Sequence, residues 1–306
     1  MADIIVVGAG PAGMTAAIYA RRAAKTVLVL EALSYGGQII NTPEIENYPA
    51  AAHISGFDFA SGVYRQAKDL GAEFKFEKVI SVEETGEDTG EEKLVRTAKN
   101  AYTAKAVILA TGSQNRKLGV DREDKFVGRG ISYCATCDGA FYRKKCVAVV
   151  GGGNTALEDA LYLADVADKV YLIHRRDSFR GEEASAARLR ERDNVEFVLD
   201  STVLELHGEK KLTAVTVTDR QGNTRTLELD GLFVAVGRIP ENSSFEPLME
   251  LDDAGYAASG EDCCTRTAGI FVAGDNRRKD VRQLVTATAD GAVAATAAVR
   301  YINAES

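Results

Sequence analysis

The chain has 306 residues, 45% of them hydrophobic and 27% charged, with a formal net charge of −8. Length and composition fit a globular protein of about two domains. The acidic balance argues against a nucleic-acid binder, which needs a basic face. No apolar run reaches the roughly 18 residues that a membrane-spanning helix requires. The N-terminus, "MADIIVVGAG", enters a strand pattern at once and leaves no room for a signal peptide, so a cytoplasmic setting is expected. Such reducing surroundings disfavour a permanent disulfide and favour catalytic or metal-binding use of a close cysteine pair.

In chain order, "IIVVGAGPAG" (4–13) reads as a buried parallel strand, a glycine turn and the start of a helix. "KTVLVLE" then predicts a second strand ending at Glu31. Alternating segments over about 73–104, broken by the acidic turn "EETGEDTGEEK", predict a β-meander. "AVILATG" (106–112) closes this part as another apolar strand. After the segment "GRGISYCATCDGAFYR" (128–143), the pattern repeats. "VAVVGGGNTA" (147–156) echoes the first glycine turn. "KVYLIHRR" echoes the second strand, a meander follows over about 195–230, and "GLFVAVG" (231–237) closes the copy. The tail offers a strand, "GIFVAGD", and an alanine-rich helix, with no third copy. The expected fold is therefore α/β: two Rossmann-like, three-layer ββα dinucleotide-binding domains, each with a β-meander, related by internal duplication. Residues 1–112 and 246–306 are expected to form a discontinuous first domain, and 113–245 the second.

The chemistry differs between the copies. Gly8, Gly10 and Gly13 fit G-x-G-x-x-G between strand and helix, a turn that lets backbone approach a pyrophosphate at a helix N-terminus. Glu31 stands where an acid can accept hydrogen bonds from a ribose diol. Gly151, Gly153 and Ala156 fit the G-x-G-x-x-A variant, but the second strand ends in "HRRDSFR": His174, Arg175, Arg176 and Arg180. Guanidiniums there welcome a 2′-phosphate that a carboxylate would repel, which points to NADPH. Two dinucleotide loops point to a flavin in one domain and a nicotinamide in the other. The acid-ended loop suits FAD.

Cys134 and Cys137 stand three apart, with Asp138 behind them. A zinc site needs four ligands, and neither the other cysteines (Cys146, Cys263, Cys264) nor His53, His174 and His207 have ligand spacing, so no metal is expected. A Cys-x-x-Cys pair can form a redox disulfide, and a neighbouring carboxylate can move protons for it.

"GAGPAG", "GGQ", "IEN", "ATG", "CATCDG", "GGGNTA", "HRRDSFR", "AGD" and "RQ" follow one another in an order that resembles the low-molecular-weight, bacterial-type thioredoxin reductases, within the pyridine nucleotide-disulfide oxidoreductases. The resemblance runs from residue 4 to about 300. It implies that Cys137 is the thiol nearest the flavin, Cys134 the thiol that attacks a partner's disulfide, and Asp138 the acid catalyst. It implies FAD contacts at Pro11, Ala12, Gly36, Gly37, Gln38, Asn47, Thr111 and Gly112, and at Gly274, Asp275, Arg282 and Gln283. The helix after Gln283 would face the flavin ring. It implies NADPH contacts at Asn154 and Thr155 within the second loop. The implied activity is NADPH-dependent thioredoxin reduction by a homodimer, with domain rotation between turnover states. A related flavin disulfide reductase serving another thioredoxin-like or peroxiredoxin partner is the alternative. Where the family often has two aromatics after "CDG", this chain has Ala140, Phe141 and Tyr142, which leaves the docking surface open.

Overall fold

A computed structural model of the protein describes residues 1–42, 44–51, 53–85 and 92–304; much of the acidic turn, at 86–91, lies outside the described residues. The chain forms two compact units, one of Met1–Gln114 with Ile239–Ser306, the other of Asn115–Arg238.

In the first unit, strands Glu73–Phe76, Val27–Glu31, Ala2–Val7 and Ala101–Leu109 lie side by side in that order and run parallel. Ala101–Leu109 serves two partners along one edge. Its first half pairs antiparallel with Glu92–Thr97, and its second half pairs parallel with Ile270–Val272. Val79–Thr85 completes the meander. The central strands are apolar on both faces, as strands covered twice must be. Ile4, Val6, Val27 and Val29 pack under Ala12, Ala16 and Ala20 of helix Pro11–Arg22 and under Ala294, Ala295 and Ala298 of helix Leu284–Ala304. Ile5, Val7, Leu28 and Leu30 pack the other way, against Val82, Val95, Phe245 and Leu248. Each such aliphatic side chain contributes about 1.5–3 kcal/mol on burial.

The second unit repeats the plan. Val195–Val198, Lys169–Ile173, Cys146–Gly151, Gly231–Ala235 and Ile131–Ser132 form an all-parallel sheet in that order. Val147, Val149, Val170 and Leu172 face helix Asn154–Ala164 through Leu157, Ala160 and Leu161. Ala148, Val150, Tyr171 and Ile173 face a separate three-stranded meander, Ser201–His207, Ala214–Asp219 and Thr224–Glu228. The three-layer, duplicated α/β architecture is the one the sequence predicts.

One expectation is corrected in both copies. Glu73–Phe76 and Val195–Val198, read as the first meander strands, are instead outermost parallel strands, paired with Val27–Glu31 and Lys169–Ile173. An edge strand with one partner is half solvated, and its incomplete burial imitates the alternation of a meander. Among the described residues, no helix is long and apolar enough to cross a membrane.

Candidate active site

The first glycine loop leaves strand Ala2–Val7 at Gly8, whose φ of +106° excludes most side chains. A Cβ at Gly13 would lie 1.9 Å from the Gly8 carbonyl oxygen, so helix and turn touch there. Gly10 differs: nothing lies within 4 Å of where its Cβ would stand. It is the N-cap of helix Pro11–Arg22, no side chain caps that end, and Pro11 starts the helix. Free amides therefore face an open approach, which suits a phosphate. Glu31 braces the turn: its carboxylate accepts from the Ala9 amide at 2.7 Å and the Leu33 amide at 3.0 Å.

Some of the other predicted flavin contacts, Gly36, Gly37 and Gly274, gather on this loop and the start of its helix. The Gly36 amide donates to the Ala9 carbonyl at 2.8 Å. A Cβ at Gly37 would stand 3.2 Å from Gly10 Cα, and the Gln38 side-chain amide donates to the Ser113 carbonyl, just past Thr111 and Gly112. Gly274 and Asp275 follow strand Ile270–Val272, and a Gly274 Cβ would lie 2.9 Å from that of Ala12. Asn47 donates to the Gln283 side chain at 3.1 Å, and helix Leu284–Ala304 starts one residue later. The Arg282 guanidinium lies 4.0 Å from the centre of the Tyr256 ring.

In the second unit, Gly153 holds the position of Gly10. It caps helix Asn154–Ala164 without side-chain help, and its Cβ position is open. Gly151 ends its strand, and the Asn154 side-chain carbonyl accepts from the Glu182 amide at 2.8 Å. Thr155 is exposed in the first turn. Arg175, Arg176 and Arg180 are exposed, and their guanidiniums meet no acceptor among the described residues. His174 stands apart from them. It is buried, stacks on Phe179 at 5.3 Å and fills the space where a Gly152 Cβ would be. Burial, more than the three arginines, pushes its pKa down, so the ring is a neutral wall of the loop rather than a fourth cation.

The cysteine segment belongs to this unit. Cys134 and Cys137 form a disulfide across the one-turn helix Ala135–Asp138. Both cysteines are half-buried residues, and Thr136 between them is exposed. Ser132 precedes the turn on a strand paired with Gly231–Ala235. Its hydroxyl donates to Asp138 Oδ2 at 2.6 Å, and the Cys134 amide donates back to that hydroxyl at 3.1 Å. Tyr133 turns the opposite way and donates to Glu123 Oε1 at 2.7 Å. Glu123 also accepts from the Leu118 and Gly119 amides, so the segment is anchored on both sides. Burial raises the Asp138 carboxyl above its ordinary range, opposed by the Ser132 bond. A carboxyl so poised can hold or release a proton nearer neutrality. Of the two aromatics that follow, Tyr142 packs inward against Phe233 at 5.2 Å, and Phe141 stays exposed.

Three contributors escaped sequence reading. Ser132 carries no motif. Asn276, fully buried, donates to the Leu109 carbonyl and to Thr111 Oγ1 and so ties the ends of two strands together. Asp290 accepts from the Gly274 amide, Arg277 and Lys279 beneath the Gly274–Asp275 turn. Burial pushes its carboxyl up, but the two cations outweigh this and hold it below the ordinary range. An acid inside an alanine-rich helix was the available signal for Asp290. Glu44, Glu46 and His53 bring ligand-type atoms within 4.8 Å of one another, as exposed acidic groups commonly do without an ion.

Known proteins share this arrangement over nearly the whole chain. The thioredoxin reductase of Listeria monocytogenes is 43% identical over 302 residues, covering 98% of this chain and 93% of that protein. That of Bacillus subtilis is 41% identical over 98% of this chain and 94% of its own. The crystal structure of thioredoxin reductase from Streptococcus pyogenes superposes with a TM-score of 0.93 at 39% identity, covering 99% of both chains. The family model for pyridine nucleotide-disulphide oxidoreductases matches residues 2–291, which takes in both glycine loops and the cysteine turn; the chain belongs to that family.

Proposed function

We propose that this protein is an NADPH-dependent flavoprotein disulfide reductase acting on thioredoxin. The observation that carries the reading is the Cys134–Cys137 disulfide, held beside Asp138, whose carboxyl pKa burial raises, in the unit that also presents the arginine-ended nucleotide loop. The relatives named thioredoxin reductase match it across 98% of its length.

The first unit fits FAD. Gly10 leaves the space that a pyrophosphate fills, the uncapped helix supplies amide donors, and Glu31 supplies an acceptor beside it. The second unit fits NADPH through the open Gly153 and the exposed Arg175, Arg176 and Arg180. When bound, FAD supplies the two-electron passage between the nicotinamide and the disulfide.

The chain's own residues perform the exchange. The Cys134 thiolate attacks one sulfur of the partner's disulfide. That bond breaks, a mixed disulfide forms and the first partner sulfur leaves. Cys137 then attacks Cys134, re-forms the intramolecular bond and releases the second sulfur. Two protons pass from the dithiol to the two partner sulfurs, and in this reading Asp138 relays them. Because the disulfide and the acid-ended loop lie in different units, the proposal includes rearrangement between units during turnover. A cross-link that fixes the two units is expected to abolish turnover. The protein is proposed to work in the cytoplasm as a homodimer.

The test is NADPH-dependent reduction of thioredoxin by the wild type and by Cys134→Ser and Cys137→Ser. Both variants are expected to retain the yellow flavin and to lose thioredoxin reduction. Undiminished turnover in either overturns the reading.

A further inference from the structure

We propose that Ser132 is a positioning residue for the exchange chemistry: its single hydroxyl ties the Asp138 carboxyl to the Cys134 amide and sets how readily Asp138 gives and takes the proton of the dithiol. The inference rests on the function proposed above.

Ser132 is 5% exposed, and its backbone is fixed opposite Phe233 in the parallel sheet. A hydroxyl has one proton to donate. Two acceptors lie in range, Asp138 Oδ2 at 2.6 Å and the Cys134 carbonyl at 3.3 Å. The shorter contact, to a carboxylate, is the stronger and takes the proton. A lone pair then accepts the Cys134 amide at 3.1 Å. The Asp138 amide also donates to the Cys134 carbonyl at 3.1 Å, so carboxyl and cysteine are joined through side chain and backbone at once. A carboxyl free to rotate could not stay in register with sulfur chemistry one residue away.

Among the described residues, no other side chain hydrogen-bonds the Asp138 carboxyl. Tyr142, in the next turn, is kept neutral: burial, then the charges of Asp138 and Asp230, push it up to about 12. Helix Asn154–Ala164 packs against the cysteine turn with Tyr162 close to Gly139, and it also carries Glu158 and Asp159. None of these groups is a cation. Two influences on the Asp138 carboxyl therefore stand out, burial that raises it and the Ser132 bond that lowers it. A bond to a charged acceptor carries enough free energy for its loss to raise the carboxyl by about one pH unit.

Two measurements on the holoenzyme test this. The first is the infrared carbonyl band of protonated Asp138 in the oxidised protein, assigned by its absence in Asp138→Asn and followed against pH. Ser132→Ala is expected to move its midpoint up by about one unit, while Ser132→Thr, which keeps the hydroxyl, restores it. The second is the pH profile of single-turnover thioredoxin reduction by pre-reduced enzyme, whose Asp138-dependent limb should move the same way. Coincident midpoints in wild type and Ser132→Ala overturn the role of Ser132. A profile unchanged by Asp138→Asn overturns instead the proton-relay reading beneath it, and the infrared midpoints tell the two failures apart. If Ser132→Ala does not fold, Ser132→Cys, a weaker donor of similar size, is expected to shift the midpoint upward, and no shift overturns the proposal.

Discussion

The two halves of the molecule place one glycine loop on two different supports. Aligning Gly8 with Gly151 sets Gly13 against Ala156 and Ala16 against Asp159. In the first unit, helix Pro11–Arg22 lies beneath the long helix Leu284–Ala304, so closely that a Cβ on Gly291 would stand 2.2 Å from the Ala12 carbonyl oxygen. Ala16 is fully buried there. In the second unit, helix Asn154–Ala164 has the cysteine turn against it, where a Cβ on Gly139 would stand 2.6 Å from the Tyr162 ring. The first copy has thus closed its helix into a nucleotide cradle of alanine and glycine. The second packs its helix against the cysteine turn further along, at Tyr162 and Leu163.

The largest effect is expected where the loops themselves diverge. A methyl on Gly13 meets a carbonyl oxygen at 1.9 Å, and backbone cannot yield as a flexible side chain can. Gly13→Ala should destabilise the protein by about 3 kcal/mol and loosen the flavin. Ala156→Gly, the reciprocal change, should cost only about 1–2 kcal/mol, from helix propensity and one lost methyl. Denaturant unfolding checks both. Equal losses would mean that the two turns are packed alike and that the glycine is not required by the first.

The second effect concerns the ends of the corresponding strands, where one copy carries Glu31 and the other is followed by Arg175, Arg176 and Arg180. Arg176→Ala should raise the KM for NADPH about 10–100-fold, the worth of one charge-assisted phosphate contact, and leave the KM for NADH nearly unchanged. Salt should weaken NADPH binding in the wild type more than in the variant. Parallel changes in both KM values would remove the 2′-phosphate from the explanation. His174, in the same motif, differs from the arginines in that its ring is buried beside Gly152.

That divergence marks what could be read from sequence. The duplicated sheet was legible because strands covered on both faces must be continuously apolar, and each glycine turn follows such a run. The edge strands Glu73–Phe76 and Val195–Val198 were misread because a solvated edge carries the same alternation as a meander. Cys134, Cys137 and Asp138 were legible as a motif, and their union in one turn follows from their spacing. Ser132 and Asn276 were not, because their partners are set by tertiary packing: the amide of Asn276 meets the Leu109 carbonyl from 167 positions away. No local pattern encodes a contact of that separation. His174 shows the converse, a motif residue whose burial is decided by Phe179 and Gly152.

The smallest effect tests the aligned pair Ala16 and Asp159. Asp159 makes no hydrogen bond among the described residues, and burial, with Glu158 adding to it, pushes its carboxyl up to about 7 from an ordinary 3.8. The folded chain then holds this proton more tightly than the unfolded one. Near neutral pH it binds more protons than the unfolded state, so stability must fall as pH rises between the two values. The contribution is intact below about pH 4, declines through about pH 7 and is flat beyond it. Asp159→Asn should erase this slope and stabilise the protein by about 1–2 kcal/mol at pH 8, with little change at pH 4, since solvent still reaches the side chain and tempers the full shift. Unfolding midpoints at the two pH values measure it. A variant no more stable than wild type at pH 8 would mean that Asp159 is solvated as an ion, and that the second helix is less tightly covered at this position than the first is at Ala16.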